Sequence, residues 1–319
     1  MSRSWWGPVR AAIGLGILAV LLWRLGTRPF VEGLRTIDGP VLVAALGITV
    51  VTTVCSAWRW SVVAGGLGMR LPLPTAVAAY YRSQFLNTVL PGGVLGDVDR
   101  GLRHGRAAGD RGRGLRAVVL ERSAGQVLQV AVTLLVLVLL PSPLGRPGTL
   151  VALSATAAVA VVMLLAAVVV LRHPRLRGLG SAGSDLRRGL LQRRLWPRVT
   201  IASALVVAGH AATFLLAARV VGVTSPTLVL GPLALLVLLA MGLPTNIAGW
   251  GPREGAAAWV FGAAGVGADR GVAVAVAYGV MVVVAVLPGA VLLLVDRWPR
   301  SRRRVPEAVD VLPAESRAR

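Results

Sequence analysis

"LPGGVLGDVDR" at residues 90–100 interrupts a chain that is otherwise rich in apolar residues, and "LPTNIAGWGPR" at residues 243–253 has the same pattern. Both stretches read leucine, proline, four residues, glycine, three residues, arginine. Proline lacks the backbone donor of a helix, and glycine readily adopts conformations that a helix excludes. The two stretches therefore predict two breaks in a helical chain.

The rest of the sequence is typical of a membrane protein. Of its 319 residues, 55% are hydrophobic, and the mean hydropathy is +0.73. Unbroken apolar runs such as "VTLLVLVLL" lack the alternation of a membrane-spanning strand, so they favour helices. We expect an all-α polytopic membrane protein with about six full spans. The predicted spans are residues 9–23, 41–66, 116–140, 149–171, 199–221 and 270–295.

The distribution of charge predicts how the chain is oriented. All 34 basic residues are arginine and the net charge is +21, with eight arginines in residues 172–198 and none in 222–226. Basic residues concentrate in cytoplasmic loops, so we expect both termini in the cytoplasm and no nucleic-acid partner. The tail, residues 297–319, is predicted to be disordered and to attract anionic lipids. A composition rich in Ala, Val, Gly and Arg is typical of a GC-rich bacterium, which indicates the bacterial inner (cell) membrane.

Several chemistries lack the residues that they need. A Walker A loop ends in a lysine, and the chain has none, so ATP hydrolysis by that route is excluded. The histidines are scattered and Cys55 is the only cysteine, so we expect neither a metal nor any other cofactor. His210 lies in the middle of a span, where an interhelical hydrogen bond is favoured over a proton relay.

The two broken stretches occupy equivalent positions, because two full spans precede each of them and one follows. We therefore expect residues 1–296 to form one transmembrane domain of two inverted halves, 1–145 and 146–296. Such halves with broken helices are typical of secondary transporters. Residues 75–93 are predicted to form a re-entrant helical hairpin, since the arginines that follow must lie inside. For residues 227–267, a re-entrant hairpin and two short crossings both fit.

A polar stripe runs along one face of the span 116–140. Glu121, Arg122, Gln126 and Gln129 follow each other with helical spacing. Ionisable residues are costly within a span unless they are paired or hydrated. We expect this stripe to face a cavity or a partner helix.

Two roles fit the acidic residues of the spans. Glu121 and Glu254 could contact a lipid headgroup, or they could form internal ion pairs, Glu121 with Arg100 and Glu254 with an arginine of the other half. The arginines Arg100, Arg122 and Arg253 favour lipid contact, because a guanidinium can hold two phosphate oxygens. Helix starts at the broken stretches would add backbone donors that favour anions.

Two short motifs favour structural roles. Trp58-Arg59-Trp60 is predicted to be an interfacial aromatic belt with a snorkelling arginine. Asp97-Val98-Asp99 has the D-x-D pattern of metal-dependent glycosyl transfer, but an aspartate after a glycine more often caps the next helix.

Four features together resemble the lysylphosphatidylglycerol synthase transmembrane-region family of flippase-like membrane proteins. They are Arg59-Trp60, "YRSQFLNTVLPGGVLGDVDRGLR" from Tyr81 to Arg103, Glu121-Arg122, and "LPTNIAGWGPREG" from Leu243 to Gly255. The resemblance covers nearly the whole chain. It implies a membrane module that moves lipids between leaflets, without the soluble aminoacyl transferase domain of the larger synthases.

We expect a flippase-like protein rather than an enzyme, whose partners are membrane lipids. The candidate cargoes are phospholipids, aminoacyl-phospholipids and polyprenyl-linked lipids. Two alternatives stay open: a membrane-embedded lipid-phosphate glycosyl or headgroup transferase, and a non-transporting partner of a lipid or glycan synthase. Assembly of the chain into a homo-oligomer is also compatible with the sequence. The predicted headgroup path comprises Arg82, Asn87, Pro91, Gly92, Gly93, Gly96, Asp97, Arg100, Glu121, Arg122, Pro244, Asn246, Gly249, Gly251, Arg253 and Glu254.

Overall fold

The computed structural model describes residues 19, 23, 26–90, 93–140, 143–172, 194–242 and 251–297. Every regular element within these ranges is a helix. In chain order they are α1 (Arg28–Arg35), α2 (Gly39–Gly66), α3 (Leu73–Val89), α4 (Leu95–Ala107), α5 (Arg111–Leu139), α6 (Gly145–Arg172), α7 (Trp196–Val220), α8 (Thr227–Met241), α9 (Pro252–Ala263), α10 (Ala268–Ala285) and α11 (Pro288–Arg297).

Five segments within the described ranges are long and apolar enough to cross a membrane. They are α2, α5, α6 up to Val169, α7, and residues Ala268–Val295, which α10 and most of α11 cover. They coincide with five of the six predicted spans, so the prediction of a polytopic all-α membrane protein is confirmed. The remaining predicted span, 9–23, lies outside the described residues except at positions 19 and 23.

Two pairs of shorter helices lie between the spans. α3 and α4 have 17 and 13 residues, and α8 and α9 have 15 and 12. A full span needs about 20 residues, so all four helices are short for a single crossing. Within each pair, the second helix begins inside one of the two broken stretches, α4 at Leu95 and α9 at Pro252. Pro91, Gly92, Pro244, Asn246 and Gly249 fall outside the described residues.

Aspartate caps set the start of two spans. The Asp38 carboxylate accepts the Val41 backbone N–H at 3.0 Å before α2, and Asp110 accepts that of Arg113 at 2.8 Å before α5. Such caps satisfy donors that have no partner within the helix. Pro40, in the first turn of α2, has no N–H that needs one.

The helices pack in the same order on both sides of α6. In the first group, α2 packs on α3, α3 on α4, α4 on α5, and α5 returns to α2. In the second group, α7 packs on α8, α8 on α9, α9 on α10, and α10 returns to α7. The groups meet along α2 and α7, which form the most extensive helix contact in the described residues. The inverted orientation of the two halves in the membrane stays a prediction.

Two glycines at equivalent positions let the helices of each group approach closely. Gly114 and Gly271 are each the fourth residue of their helix, α5 and α10. A methyl group on Gly114 would lie 2.3 Å from the Gly101 carbonyl oxygen, and one on Gly271 would lie 2.3 Å from that of Ala257. Backbone atoms cannot yield as a flexible side chain can. Only glycine therefore fits at these two contacts.

Gly271→Ala should destabilise the protein, because the added methyl group forces α10 away from α9. We expect a loss of about 1–3 kcal/mol, typical of overpacking, and a lower thermal unfolding midpoint in detergent micelles. The control is Gly47→Ala in α2, where an added methyl group meets no atom within 4 Å. Equal unfolding midpoints for the two variants would contradict the close contact of α9 and α10.

Candidate functional site

A cavity of about 280 Å³ lies between the two helix groups. Residues of α2, α3, α5, α7, α8, α9 and α10 line it, so it belongs to neither group alone. Its polar lining side chains are Ser56, Arg59, Tyr80, Gln84, Asn87, Thr88, Arg122, Gln126, Gln129, Ser203, His210, Arg253 and Tyr278.

Both helix pairs reach this cavity at the ends that flank the breaks. Asn87 and Thr88 line it at the end of α3, and Gly93 lines it just before α4. From the other group, Gly242 follows α8 and Arg253 lies in the first turn of α9. The described residues that flank the two predicted breaks therefore border one cavity.

Glu121 is the centre of a buried charge network behind the cavity wall. Its side chain has no solvent exposure. One carboxylate oxygen accepts from Arg59 Nε at 2.8 Å and from the Tyr80 hydroxyl at 3.2 Å, and Arg59 Nη2 also donates to it. The other oxygen accepts from Arg100 Nη2 at 2.7 Å. Glu121 thereby joins helices α2, α3 and α4 to α5.

Asp97 is the second carboxylate of the network. It accepts from Arg100 Nε at 2.9 Å and pairs with Arg122 Nη2 at 2.5 Å. The Ser83 hydroxyl and the Asn87 amide of α3 each donate to it at 3.0 Å. Burial would raise the pKa of this carboxyl, but the Arg122 and Arg100 guanidinium groups outweigh burial and hold the pKa below its ordinary value.

The network carries an excess of positive charge. We define the arginine network as Arg59, Arg100, Arg122, Asp97 and Glu121, which gives three cations against two anions. Arg100 also lies over two aromatic rings, 4.5 Å from the centroid of Trp60 and 4.4 Å from that of Tyr80. Arg122 is the network arginine with the most open side chain, at 41% exposure. Arg59 and Arg122 are the arginines of the network that line the cavity.

The second helix pair holds a smaller ion pair. Arg253 donates from Nε and Nη2 to Glu254 Oε1 at 2.8 and 2.5 Å. Glu254 is fully buried, and its other oxygen accepts the Gly251 backbone N–H at 2.7 Å. Gly251 has a φ of +111°, which favours glycine at this start of α9. The pair thus fixes the arginine at the cavity wall.

Glycine also makes room for the cavity arginines. A methyl group on Gly279 would lie 2.2 Å from Arg253 Nη2, and one on Gly125 would lie 2.7 Å from Arg59 Nη1. Beside Gly279, the Tyr278 hydroxyl lies 3.0 Å from His210 Nδ1. The predicted interhelical hydrogen bond of His210 is confirmed, and it ties α7 to α10.

Three predictions from the sequence are wrong. Arg59 and Trp60 do not form an interfacial belt, since their exposures are 5% and 0% and Arg59 lies in the arginine network. Asp97 does not cap α4, because its carboxylate binds side chains of α3, α4 and α5. Glu254 pairs with its own neighbour Arg253 rather than with an arginine of the other half.

The structure separates the predicted headgroup path into three sets. Asn87, Gly93, Arg122 and Arg253 line the cavity; Asp97, Arg100, Glu121 and Glu254 form ion pairs behind it; Gly96 packs on the Ser83 backbone, and Gly251 precedes α9. Arg82 is half-buried on α3 and does not line the cavity.

The predicted polar stripe of α5 faces the cavity. Arg122, Gln126 and Gln129 all line it, one turn after another. Sequence reasoning missed Arg59, Tyr80 and Ser203, where Ser203 accepts from Arg59 Nη1 at 2.9 Å. The position of Arg59 within the span 41–66 was the available signal, because an arginine inside a span needs a partner.

The carboxylates do not form a metal centre in the described part of the chain. No group of three or more His, Cys, Asp or Glu side chains there could hold an ion. Asp97 belongs to the arginine network, and Asp99 binds Arg103 Nε at 2.9 Å. The D-x-D pattern therefore has both of its aspartates in ion pairs with arginine.

A family model described as the lysylphosphatidylglycerol synthase TM region matches residues 9–289. The chain therefore belongs to this family of membrane proteins, as its motifs predicted. No curated protein and no solved structure matches the chain.

Glu121→Gln should destabilise the protein strongly, because it leaves Arg59 and Arg100 buried without their common anion. Breaking a buried ion pair on one side costs about 3–5 kcal/mol. Asp99→Asn is the matched control, since it removes an exposed pair with Arg103 worth about 0–1 kcal/mol. Thermal unfolding in detergent measures both. A Glu121→Gln midpoint equal to that of Asp99→Asn would show that Glu121 does not hold the network together.

Proposed function

We propose that this member of the lysylphosphatidylglycerol synthase TM region family translocates lipids between the leaflets of the membrane. The headgroup passes through the cavity between the two helix groups, and the tails stay in the bilayer. The observation that carries this proposal is the convergence of both helix-pair ends on one cavity with Arg59, Arg122 and Arg253 on its wall.

The obstacle to lipid translocation is the charge of the headgroup phosphate. Moving an unpaired ion from water into hydrocarbon costs on the order of several kcal/mol. Guanidinium groups can replace the lost water, because each one offers a planar fork of donors that matches two phosphate oxygens. The arginine network supplies these donors already oriented, so the cavity lowers the barrier without any covalent step.

The size of the cavity fits a headgroup rather than a whole lipid. Pockets for small molecules commonly measure about 300–1,000 Å³, and this one is close to the lower limit. Phospholipids, aminoacyl-phospholipids and polyprenyl-linked lipids all carry a phosphate of suitable size. We class the protein as a transporter and not as an enzyme.

Movement in this proposal is downhill or ion-coupled, because the chain has no lysine for a Walker A loop. Glu121 and Glu254, the buried glutamates of the two groups, are both held by arginine and do not line the cavity. Because this arrangement leaves neither glutamate on the cavity surface, it favours downhill exchange.

We further propose that both termini lie in the cytoplasm of a bacterial cell. In a Cys55→Ser background, a membrane-impermeant thiol reagent should label Thr224→Cys in intact spheroplasts and Ser301→Cys only after lysis, because arginine-rich segments stay inside. Thr224 is exposed between α7 and α8. Labelling of Ser301→Cys before lysis would contradict the proposed cytoplasmic location of the carboxyl terminus.

Arg122→Gln should slow lipid exchange. The variant removes the most exposed cation of the arginine network, and a hydrogen bond to a charged group is worth about 1.5–3 kcal/mol. We therefore expect the rate of exchange of fluorescent phosphatidylglycerol in proteoliposomes to fall about tenfold or more. Quenching of the outer-leaflet dye measures the fraction of lipid that changes sides.

Arg103→Gln is the matched control for this measurement. It makes the same substitution on α4, but Arg103 is exposed and pairs with Asp99 outside the cavity. Its exchange rate should equal that of the wild-type protein. Exchange by the wild-type protein no faster than in empty vesicles, across phosphatidylglycerol and aminoacylated lipids, would refute lipid translocation.

A further inference from the structure

We infer that the cavity selects phosphate headgroups with net negative charge and discriminates against headgroups that carry an ammonium group. This inference rests on the proposed function and narrows its range of lipids. Among the described residues that line the cavity, three are arginines and none is an aspartate or a glutamate. The wall therefore offers charged partners to an anion and none to a cation.

The buried carboxylates of the site are turned away from the cavity. Glu121 and Asp97 bind arginines of their network, and Glu254 binds Arg253 and the start of α9. None of the three lines the cavity. The sequence left open whether Glu121 and Glu254 contact a lipid headgroup or form internal ion pairs, and the structure places both in ion pairs with arginine.

Three of the neutral acceptors of the wall already accept a hydrogen bond within the protein. The Asn87 amide oxygen accepts the Gly96 backbone N–H at 2.8 Å, and the Gln84 amide oxygen accepts the Thr53 hydroxyl at 3.0 Å. The Ser203 hydroxyl accepts from Arg59 at 2.9 Å. An ammonium ion has only donors, so at each of these three groups it would have to share an oxygen that already accepts a hydrogen bond.

The cavity disfavours a cation, whereas the excess positive charge of the arginine network attracts an anion. Three guanidinium groups face two carboxylates in the network, so one more negative charge balances the set. The phosphate of a phosphatidylglycerol or phosphatidic acid headgroup supplies that charge. An aminoacylated headgroup brings its own cations next to Arg122, where like charges repel.

Lipid binding provides a test that does not depend on transport. The purified protein is exposed to nanodiscs that contain equal amounts of phosphatidylglycerol, phosphatidylethanolamine and lysylated phosphatidylglycerol, and the retained lipids are quantified by native mass spectrometry. We expect phosphatidylglycerol to exceed each ammonium lipid by about tenfold, because one charged contact has that worth. Equal retention of the three lipids, or a preference for the lysylated lipid, would overturn the inference.

Gln126→Glu tests the role of charge on the wall directly. Gln126 lines the cavity one turn after Arg122, and the substitution keeps its size while it adds the missing carboxylate. We expect the ratio of phosphatidylglycerol to phosphatidylethanolamine to fall about tenfold. Gln126→Met removes the amide without a charge and should leave the ratio unchanged. A fall in both variants, or in neither, would contradict selection by wall charge.

A transport measurement distinguishes the failure of this inference from the failure of the proposed function. In proteoliposomes, rapid exchange of all three lipids at equal rates would support translocation and refute the selectivity. Selective binding of phosphatidylglycerol without exchange would support the selectivity and refute translocation. Entrapped inorganic phosphate should stay inside the vesicles, since its release would make free phosphate, rather than a lipid, the ligand.

Discussion

A charge buried in an apolar environment must have a partner, and this requirement determines how the first helix group is assembled. Glu121 lies on α5 without solvent exposure, and its partners Arg59 and Arg100 come from α2 and α4. Burying any one of these ions without its partners would cost on the order of several kcal/mol of free energy. The three helices must therefore meet at this point. Arg122 follows Glu121 in sequence, so the same junction also positions Arg122 on the cavity wall.

The two helix groups share a packing plan but differ in their charges. Gly114 of α5 and Gly271 of α10 each pack against the backbone of the preceding helix, so the two groups have equivalent close helix contacts. The first group holds a network of five charges, whereas the second holds the neighbouring pair Arg253 and Glu254. The polar chemistry of the cavity is therefore concentrated on one side of a nearly repeated framework.

Apolar length and helix-breaking residues made much of the fold predictable. Five spans and the two breaks follow from local signals, and the α5 stripe follows from helical spacing. The partners of the buried charges could not be predicted in the same way, because Arg59 lies 62 positions from Glu121 and 144 from Ser203. Asp97 illustrates the same limit: its position after a glycine indicated a local cap, but contacts across three helices decide its role.

The cations of the cavity wall are all guanidinium groups, and this has a consequence for the environments in which the protein can work. A guanidinium does not lose its proton in proteins, whereas lysine and histidine side chains can be neutralised when they are buried. The positive charge of the cavity wall should therefore persist in acid and in alkaline surroundings. A membrane whose surroundings fluctuate in acidity would keep the same attraction for an anion at this wall.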